Sequence, residues 1–357
     1  MKILLCPLAS PGFSFPLIAI AVELAVRGHA VRFLTERWLS PILRGAGLTL
    51  DSDDGAEPPS FEVSLWHHPG AVARQVSSVR RAISERSPDI LVTSALALGP
   101  LIAAEEARIP VVVVGTLTGL LPRAGVRRAE LQAAWDAARA ASGLRPVTVE
   151  RMLGDLTLRR TVPELEDVPN PIGACSWEPP TPRVVGDWLD VATRERARVV
   201  YAHQARGFGA PGFWPVLADA LPTDVRFAAS TSRMDAGYRG GPPGALIGPV
   251  VPQGAVLARA VAVICSGTSA VALGAMERGV PLVTVPGGGE QHEVAALVRR
   301  AGLGLTVPAS EVDRTRLGAA FEQALRLDPT PREAIRQAFR RMEGPRRAAS
   351  LIEAYVL

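Results

Sequence analysis

Cysteine is scarce in this chain. Cys6, Cys175 and Cys265 stand far apart in 357 residues, with no Cys-x-x-Cys pair and no metal-ligand spacing. A disulfide framework and a zinc ribbon are therefore excluded. Cys6 and Cys265 sit in apolar strand-like runs, where a buried inert thiol is expected. A reducing compartment suits this usage, so a cytoplasmic protein is expected. Histidine is nearly as rare: His29, His67, His68, His203 and His292 are the full supply, which leaves few positions for a base of near-neutral pKa. No apolar run reaches the ~20 residues that span a bilayer. The opening KILLCPLA is too short for a signal peptide and leads directly into patterned structure. Blocks of like charge are missing too. The net charge of +4 comes from scattered basic residues whose densest groups, Arg80-Arg81, Arg340-Arg341 and Arg346-Arg347, are doublets on helical stretches. That is not a nucleic-acid footprint.

What is present is alternation. KILLCPLA reads as a buried strand, a Gly/Pro/Ser turn follows, and Pro16 to Arg27 reads as a helix stopped by Gly28. AVRFLT, DILVTSA and PVVVVGT are further strands, with helical LGPLIAAEEARI between the last two. Val72, Val76, Val79 and Ile83 mark one apolar helix face opposite a solvated arginine face. The pattern restarts with ARVVYA, VRFAAS, ALIGP, AVAVICS and PLVTVP. Two βαβ series in succession imply an α/β protein of two Rossmann-like parallel-sheet domains. Val168 to Trp188 carries five prolines and little periodicity, so the first domain is expected over 1–185 and a linker over 186–196. The second domain is then expected over 197–340, followed by a last helix, 341–357. Functional residues should lie on the turns after strands, where ligands bind in open α/β sheets, so the two domains are expected to face each other across a cleft.

The densest chemistry lies between Ile264 and Val307. A strand ends at Ser266, Gly267 turns the backbone, and Thr268 to Met276 reads as a helix. The first amides of that helix lack internal partners and sit at its positive dipole end. With the hydroxyls of Ser266, Thr268 and Ser269 they could cradle a diphosphate, or the hydroxyls could simply cap the helix. The next strand runs into Gly287-Gly288-Gly289 and then Glu290-Gln291. Glycine allows close approach of a ligand, and a carboxylate beside an amide suits vicinal sugar hydroxyls. A plain loop entering a helix is the simpler reading of that second piece.

Taken together and in order, VVPQGAVLARAVAVICSGTSAVALGAMERGVPLVTVPGGGEQ, Val250 to Gln291, resembles the donor-binding half of the GT-B glycosyltransferases. The similarity is to the family 1 type, which includes natural-product and UDP-glucuronosyl enzymes. The opening with Pro16 and Arg27 to Val31 (RGHAV), the PRVVGDW of Pro182 to Trp188, and the C-terminal REAIRQAF and GPRRAASLIEAYV extend it over nearly the whole chain. The resemblance implies that Val251, Pro252 and Gln253 border the nucleotide base and that Gly267-Thr268, with Ser266 and Ser269, hold the phosphates. It implies that Glu290-Gln291 bind the sugar, that Gly12 in the opening turn belongs with the donor contacts, and that the last helix crosses back to the first domain.

Three departures accompany it. Phe13 stands where the family carries its base histidine, and nearby Ser10 and Ser14 are poor bases unless activated. Val263-Ile264-Cys265 replaces the family's His-Gly-Gly, so a phosphate-contacting imidazole is missing, and His203, with Gln204 and Arg206, is the candidate replacement. The strand Asp89 to Val92 ends in Thr93-Ser94, without the aspartate that orients the family's base. Trp66-His67-His68 suits an acceptor pocket, and His67 or His68 is the candidate base, although a surface loop would look the same. Asp51-Ser52-Asp53-Asp54 only superficially matches a metal-binding Asp-x-Asp and reads as a solvated turn. The expected activity is inverting, metal-independent transfer of a sugar from a dTDP- or UDP-sugar co-substrate to a small natural-product acceptor. No other cofactor is implied. The rival reading is a non-catalytic relative serving as the auxiliary subunit of a partner enzyme, and self-pairing or pairing with such a partner stays open.

Overall fold

A computed structural model describes residues 1–51, 60–122, 125–205, 209–210, 212–231, 244–248 and 251–356. They fall into two compact units, Met1–Pro179 with Met342–Leu357, and Pro180–Arg341.

The first unit is built on a parallel sheet of β1 Lys2–Cys6, β2 Ala30–Phe33, β3 Thr49–Leu50, β4 Ile90–Ser94, β5 Val111–Val114 and β6 Leu156–Leu158. Their spatial order is β3-β2-β1-β4-β5-β6. Continuous apolar runs such as ILVTS and VVVV are buried along their length, as a sheet covered on both faces requires. Leu5 pairs with Phe33 on one side and Val92 on the other, at the centre of one core.

The second unit repeats the plan with β7 Arg198–His203, β8 Val225–Ser230, β9 Leu246–Gly248, β10 Ala260–Cys265, β11 Leu282–Thr284 and β12 Gly304–Thr306. Its order is β12-β11-β10-β7-β8-β9. Numbered within its own unit, each sheet reads 3-2-1-4-5-6, the doubly wound order whose strand direction of travel reverses between the first and fourth strands. Those switch points are β1/β4 and β7/β10. A separate core of Phe213, Phe227, Phe321 and their neighbours closes around the second sheet.

Two expectations change. The first helix spans Pro11–Val26, not Pro16 onward. Ser10 is its extended N-cap and Pro11 occupies the first turn, where a missing N–H costs nothing. Gly12, Phe13 and Ser14 are thus helical. Pro16 sits inside the helix and cannot donate to the carbonyl four residues back. That carbonyl belongs to Gly12, and it accepts instead from Arg160 Nη1 at 3.0 Å. The stretch expected as a linker also has structure: Arg183–Arg194 is a helix, with Val185, Leu189 and Ala192 buried along one face. Pro182 stands just outside it, where proline does no harm.

The last helix, Gly344–Val356, packs within the first unit. Ala348, Ala349 and Ile352 are fully buried in its core. Arg27 Nη1 donates to Glu353 Oε2 at 2.7 Å, and His29 Nε2 lies 2.7 Å from the other carboxylate oxygen. The RGHAV segment therefore clasps the C-terminal helix. Among the described residues no helix is long and apolar enough to cross a membrane.

Candidate functional site

At the β7/β10 switch point of the second unit the turns after the two strands are tied together. Ser266, fully buried, donates its backbone N–H to the His203 carbonyl at 3.1 Å. Its Oγ accepts from the Ala205 amide at 2.9 Å. Gly267 has a φ of +85°, and a Cβ there would lie 3.1 Å from the Gln291 carbonyl. Only glycine meets both demands. Thr268 is the extended N-cap of the helix Ser269–Arg278.

The two motifs that the sequence presents separately meet here. The Glu290 Oε1 atom accepts from the Ser269 amide at 3.3 Å, so a carboxylate caps the positive end of the Ser269–Arg278 helix. Gln291, buried, accepts from the Gly287 amide through Oε1 at 2.8 Å, which shapes the triple-glycine loop. Gln253 begins the helix Gln253–Leu257 after Pro252 and donates to the Ala270 carbonyl at 3.3 Å. A Cβ on Gly274 would come within 2.7 Å of its Nε2, so Gly274 lets this side chain lie against the helix. Val251 is buried and its amide reaches Ser230 Oγ at 3.4 Å. Val251, Pro252, Gln253, Ser266, Gly267, Thr268, Ser269, Glu290 and Gln291 thus gather after the carboxyl ends of β7 and β10 and on the neighbouring helix ends.

Among the described residues, His203 Nδ1, Gln204 Nε2 and Thr268 Oγ1 in this region are buried without a partner. Buried polar groups are nearly always paired, so such a group invites a ligand or water. Burial pushes the His203 imidazole down to about 4. It is neutral at physiological pH and can offer a hydrogen bond but no positive charge. Cys265 beside it is inert, its thiol pushed up to about 12 by burial. Arg206 lies outside the described residues. Gln204, the other companion of His203 in the sequence pattern, is buried next to it in the chain.

The first unit tells a different story at its β1/β4 switch point. Phe13 packs against the core. Thr93 Oγ1 donates to the Cys6 carbonyl at 2.7 Å, and Ser94 Oγ accepts from the Leu8 amide at 3.0 Å. Ser14 is buried and its hydroxyl donates to the Leu8 carbonyl at 2.9 Å. The Ser14 hydroxyl thus spends its proton on the backbone, and among the described residues it bonds to a carbonyl and not to a general base that would activate it. At the positions where the resemblance puts a His–Asp dyad, Phe13 packs against the core while Thr93 and Ser94 cross-link the backbone. Arg160, which sequence reasoning missed, is buried and donates to Gly12 and, through Nε, to the Ala174 carbonyl at 3.0 Å.

His67 and His68 are exposed. His68 is the N-cap of the helix Pro69–Arg86, and the His67 ring lies 5.0 Å from that of Trp66. Phe15 and Trp177 form an edge-on pair at 5.3 Å. Asp51 pairs with Arg32 at 2.7 Å, while the rest of that acidic turn, 52–54, lies outside the described residues.

Two doubly wound units with a C-terminal helix returning to the first define the GT-B class. No family model matches the chain. A curated relative, an L-demethylnoviosyl transferase of Streptomyces niveus, is 25% identical over 350 residues, 90% of this chain and 89% of its own length. Among solved structures, a glycosyltransferase of kitacinnamycin superposes with a TM-score of 0.73 at 21% identity, over 99% of this chain and 98% of that one. A spinosyn rhamnosyltransferase, solved with thymidine diphosphate, gives 0.69 at 19% identity, over 99% of this chain and all of the other; it has also been solved with its aglycone. The fold is thus GT-B, and the curated relatives that the chain resembles are glycosyltransferases.

Proposed function

We propose that the protein is an inverting, metal-independent sugar transferase that takes a dTDP- or UDP-sugar and a small natural-product acceptor. The observation that carries this reading is the convergence of Ser266, the Ser269–Arg278 helix and the Glu290-Gln291 pair at the β7/β10 switch point. Amides at a helix N-terminus stabilise a departing diphosphate without a metal. Glu290 and Gln291 offer an acceptor and a donor to the sugar hydroxyls. Neutral His203 and the Gln204 amide offer hydrogen bonds near the phosphates. The acceptor is taken by the first unit, beside Phe13 and the Phe15–Trp177 pair. With no base at Phe13 or Ser14, the acceptor either brings its own nucleophilicity, as a carboxylate or acidic phenol does, or uses His67 or His68 as base.

The test is thermal stabilisation by dTDP, UDP, GDP and ADP. A ligand at ~100 times its dissociation constant adds about 2.7 kcal/mol. A selective shift with dTDP or UDP is expected, followed by transfer that EDTA leaves unchanged. A shift with none of the four removes the donor site. The cross-linked Thr93, Ser94 and Ser14 positions favour one rival, a non-catalytic auxiliary subunit. It predicts no transfer to any acceptor even where nucleotide binds, together with stable co-purification of a second glycosyltransferase.

A further inference from the structure

Gly274 stands in the interior of the helix Ser269–Arg278, where glycine is the poorest choice after proline. No backbone need explains it, since its φ is not positive. Space does. A Cβ at this position would lie 2.7 Å from Gln253 Nε2, 3.4 Å from Gln253 Cδ and 3.0 Å from Leu257 Cδ1. All three atoms belong to one neighbouring helix, Gln253–Leu257. The shortest distance is well inside the ~3.5–4.0 Å of an ordinary contact, so the Gln253 amide would have to move.

The gap has a second feature. Gln253 Nε2 donates to the Ala270 carbonyl at 3.3 Å, and in an α-helix that carbonyl also accepts from the Gly274 amide. A carbonyl has two lone pairs and can serve both donors. The Gln253 amide thus sits in a notch with the Ala270 carbonyl on one side and the missing Gly274 side chain on the other. Only an N–H can meet a carbonyl, so the contact also fixes which way round the amide lies. Gln253 is half-buried, and among the described residues no hydrogen bond occupies its Oε1. That oxygen is left as an available acceptor.

We propose that Gly274 is a positioning residue for nucleotide recognition: it seats Gln253 so that Oε1 accepts a hydrogen bond from the nucleoside. The inference rests on the donor reading above, in which Gln253 borders the base. Uracil and thymine carry an imide N–H and their nucleosides carry hydroxyls, and each of these can donate. A side chain at position 274 displaces the amide from its notch and takes that acceptor away. The helix start at Ser269, proposed to hold the phosphates, lies more than one turn away.

Isothermal titration of the full chain with UDP, dTDP and inorganic pyrophosphate tests it, on wild type, Gly274→Ala, Gln253→Ala and the double variant. Gly274→Ala should weaken the nucleotide that wild type binds about three- to tenfold, the step that one neutral hydrogen bond gives, and leave pyrophosphate alone. Gln253→Ala should weaken it to the same extent. Adding Gly274→Ala to that variant should change little, because the side chain that the new Cβ displaces is gone. This comparison stands even where the crowded single variant folds poorly, since the double variant lacks the closest clash. Equal losses for UDP and dTDP assign the bonded group to what the two share, and a loss for UDP alone assigns it to the 2′-hydroxyl. The inference alone falls if wild type binds a nucleotide and Gly274→Ala binds it equally well. It falls equally if pyrophosphate weakens in parallel, or if the two losses add in the double variant. If wild type binds neither UDP nor dTDP, the donor reading falls and this inference with it.

Discussion

Glu290 holds its carboxylate at the end of a helix where a diphosphate would also be held. The Glu290–Ser269 contact of 3.3 Å makes the side chain an internal anion that an incoming phosphate must compete with. An anion at a helix N-terminus contributes ~0.3–1 kcal/mol. Replacing Glu290 with Gln should therefore tighten binding of the bare nucleoside diphosphate about two- to fivefold, while kcat/KM for the nucleotide sugar falls because a hydroxyl acceptor is lost. Calorimetry and a transfer assay on the same variant read both effects; parallel weakening of the two would sink the competition. His203 supplies a pH signature. Its folded pKa, about 4, lies below the usual imidazole value of ~6.5. The unfolded chain therefore takes up the proton first as pH falls. Stability should decline from about pH 6.5 down to about 4 and level off below that as far as this residue is concerned. Urea midpoints for wild type and His203→Gln should diverge over that window, with the variant less pH-dependent. Identical pH profiles would mean that His203 is not buried as described.

Elements carry the part of the site that the sequence conceals. The opening helix was legible through its apolar spacing and Pro16, but its start was not, because Pro11 and Gly12 read as a turn. Nothing local connects Pro16 to Arg160, since the Gly12–Arg160 bond joins positions 148 residues apart. The physical link is a carbonyl that proline leaves without its helical donor. Arg160→Met should then cost ~1–3 kcal/mol. In a Pro16→Ala background the cost should shrink, because alanine restores a backbone N–H that can donate to the same carbonyl. A double-mutant cycle by chemical denaturation measures that coupling, and strict additivity would refute it. The donor motifs were more legible, since each follows a strand whose β-branched run announces it. Their mutual bonding was not, because Ser269 and Glu290 stand on different helices. Strands β3, β6 and β12, of two or three residues each, are too short to display a period. Arg183–Arg194 was lost among prolines that in fact stop just before it.

At the scale of the whole molecule, two compact units, each with buried apolar residues of its own, imply two melting units. The C-terminal helix belongs to the first unit although the chain reaches it through the second. Glu353 is where that return is secured. His29 and Arg27 hold its carboxyl below the usual range, the hydrogen bond to His29 contributing most. The folded pKa is depressed, so this contribution is present above the ordinary carboxylate pKa of ~4.3 and is lost as pH falls through the lower folded value. Glu353→Ala leaves Arg27 and His29 without that partner and should lower the first unit's transition by several degrees at pH 7, with the difference from wild type closing as the solution is acidified. Nucleotide offers the complementary handle. All the proposed donor contacts except Gly12 lie in the second unit, so dTDP or UDP should raise that unit's transition by the same amount in wild type and in Glu353→Ala. Differential scanning calorimetry of both proteins, with and without nucleotide, decides the matter. Two transitions moving separately would place donor binding and the C-terminal clasp in different cooperative units. A single transition that Glu353→Ala and nucleotide both move would show that the two sheets melt as one.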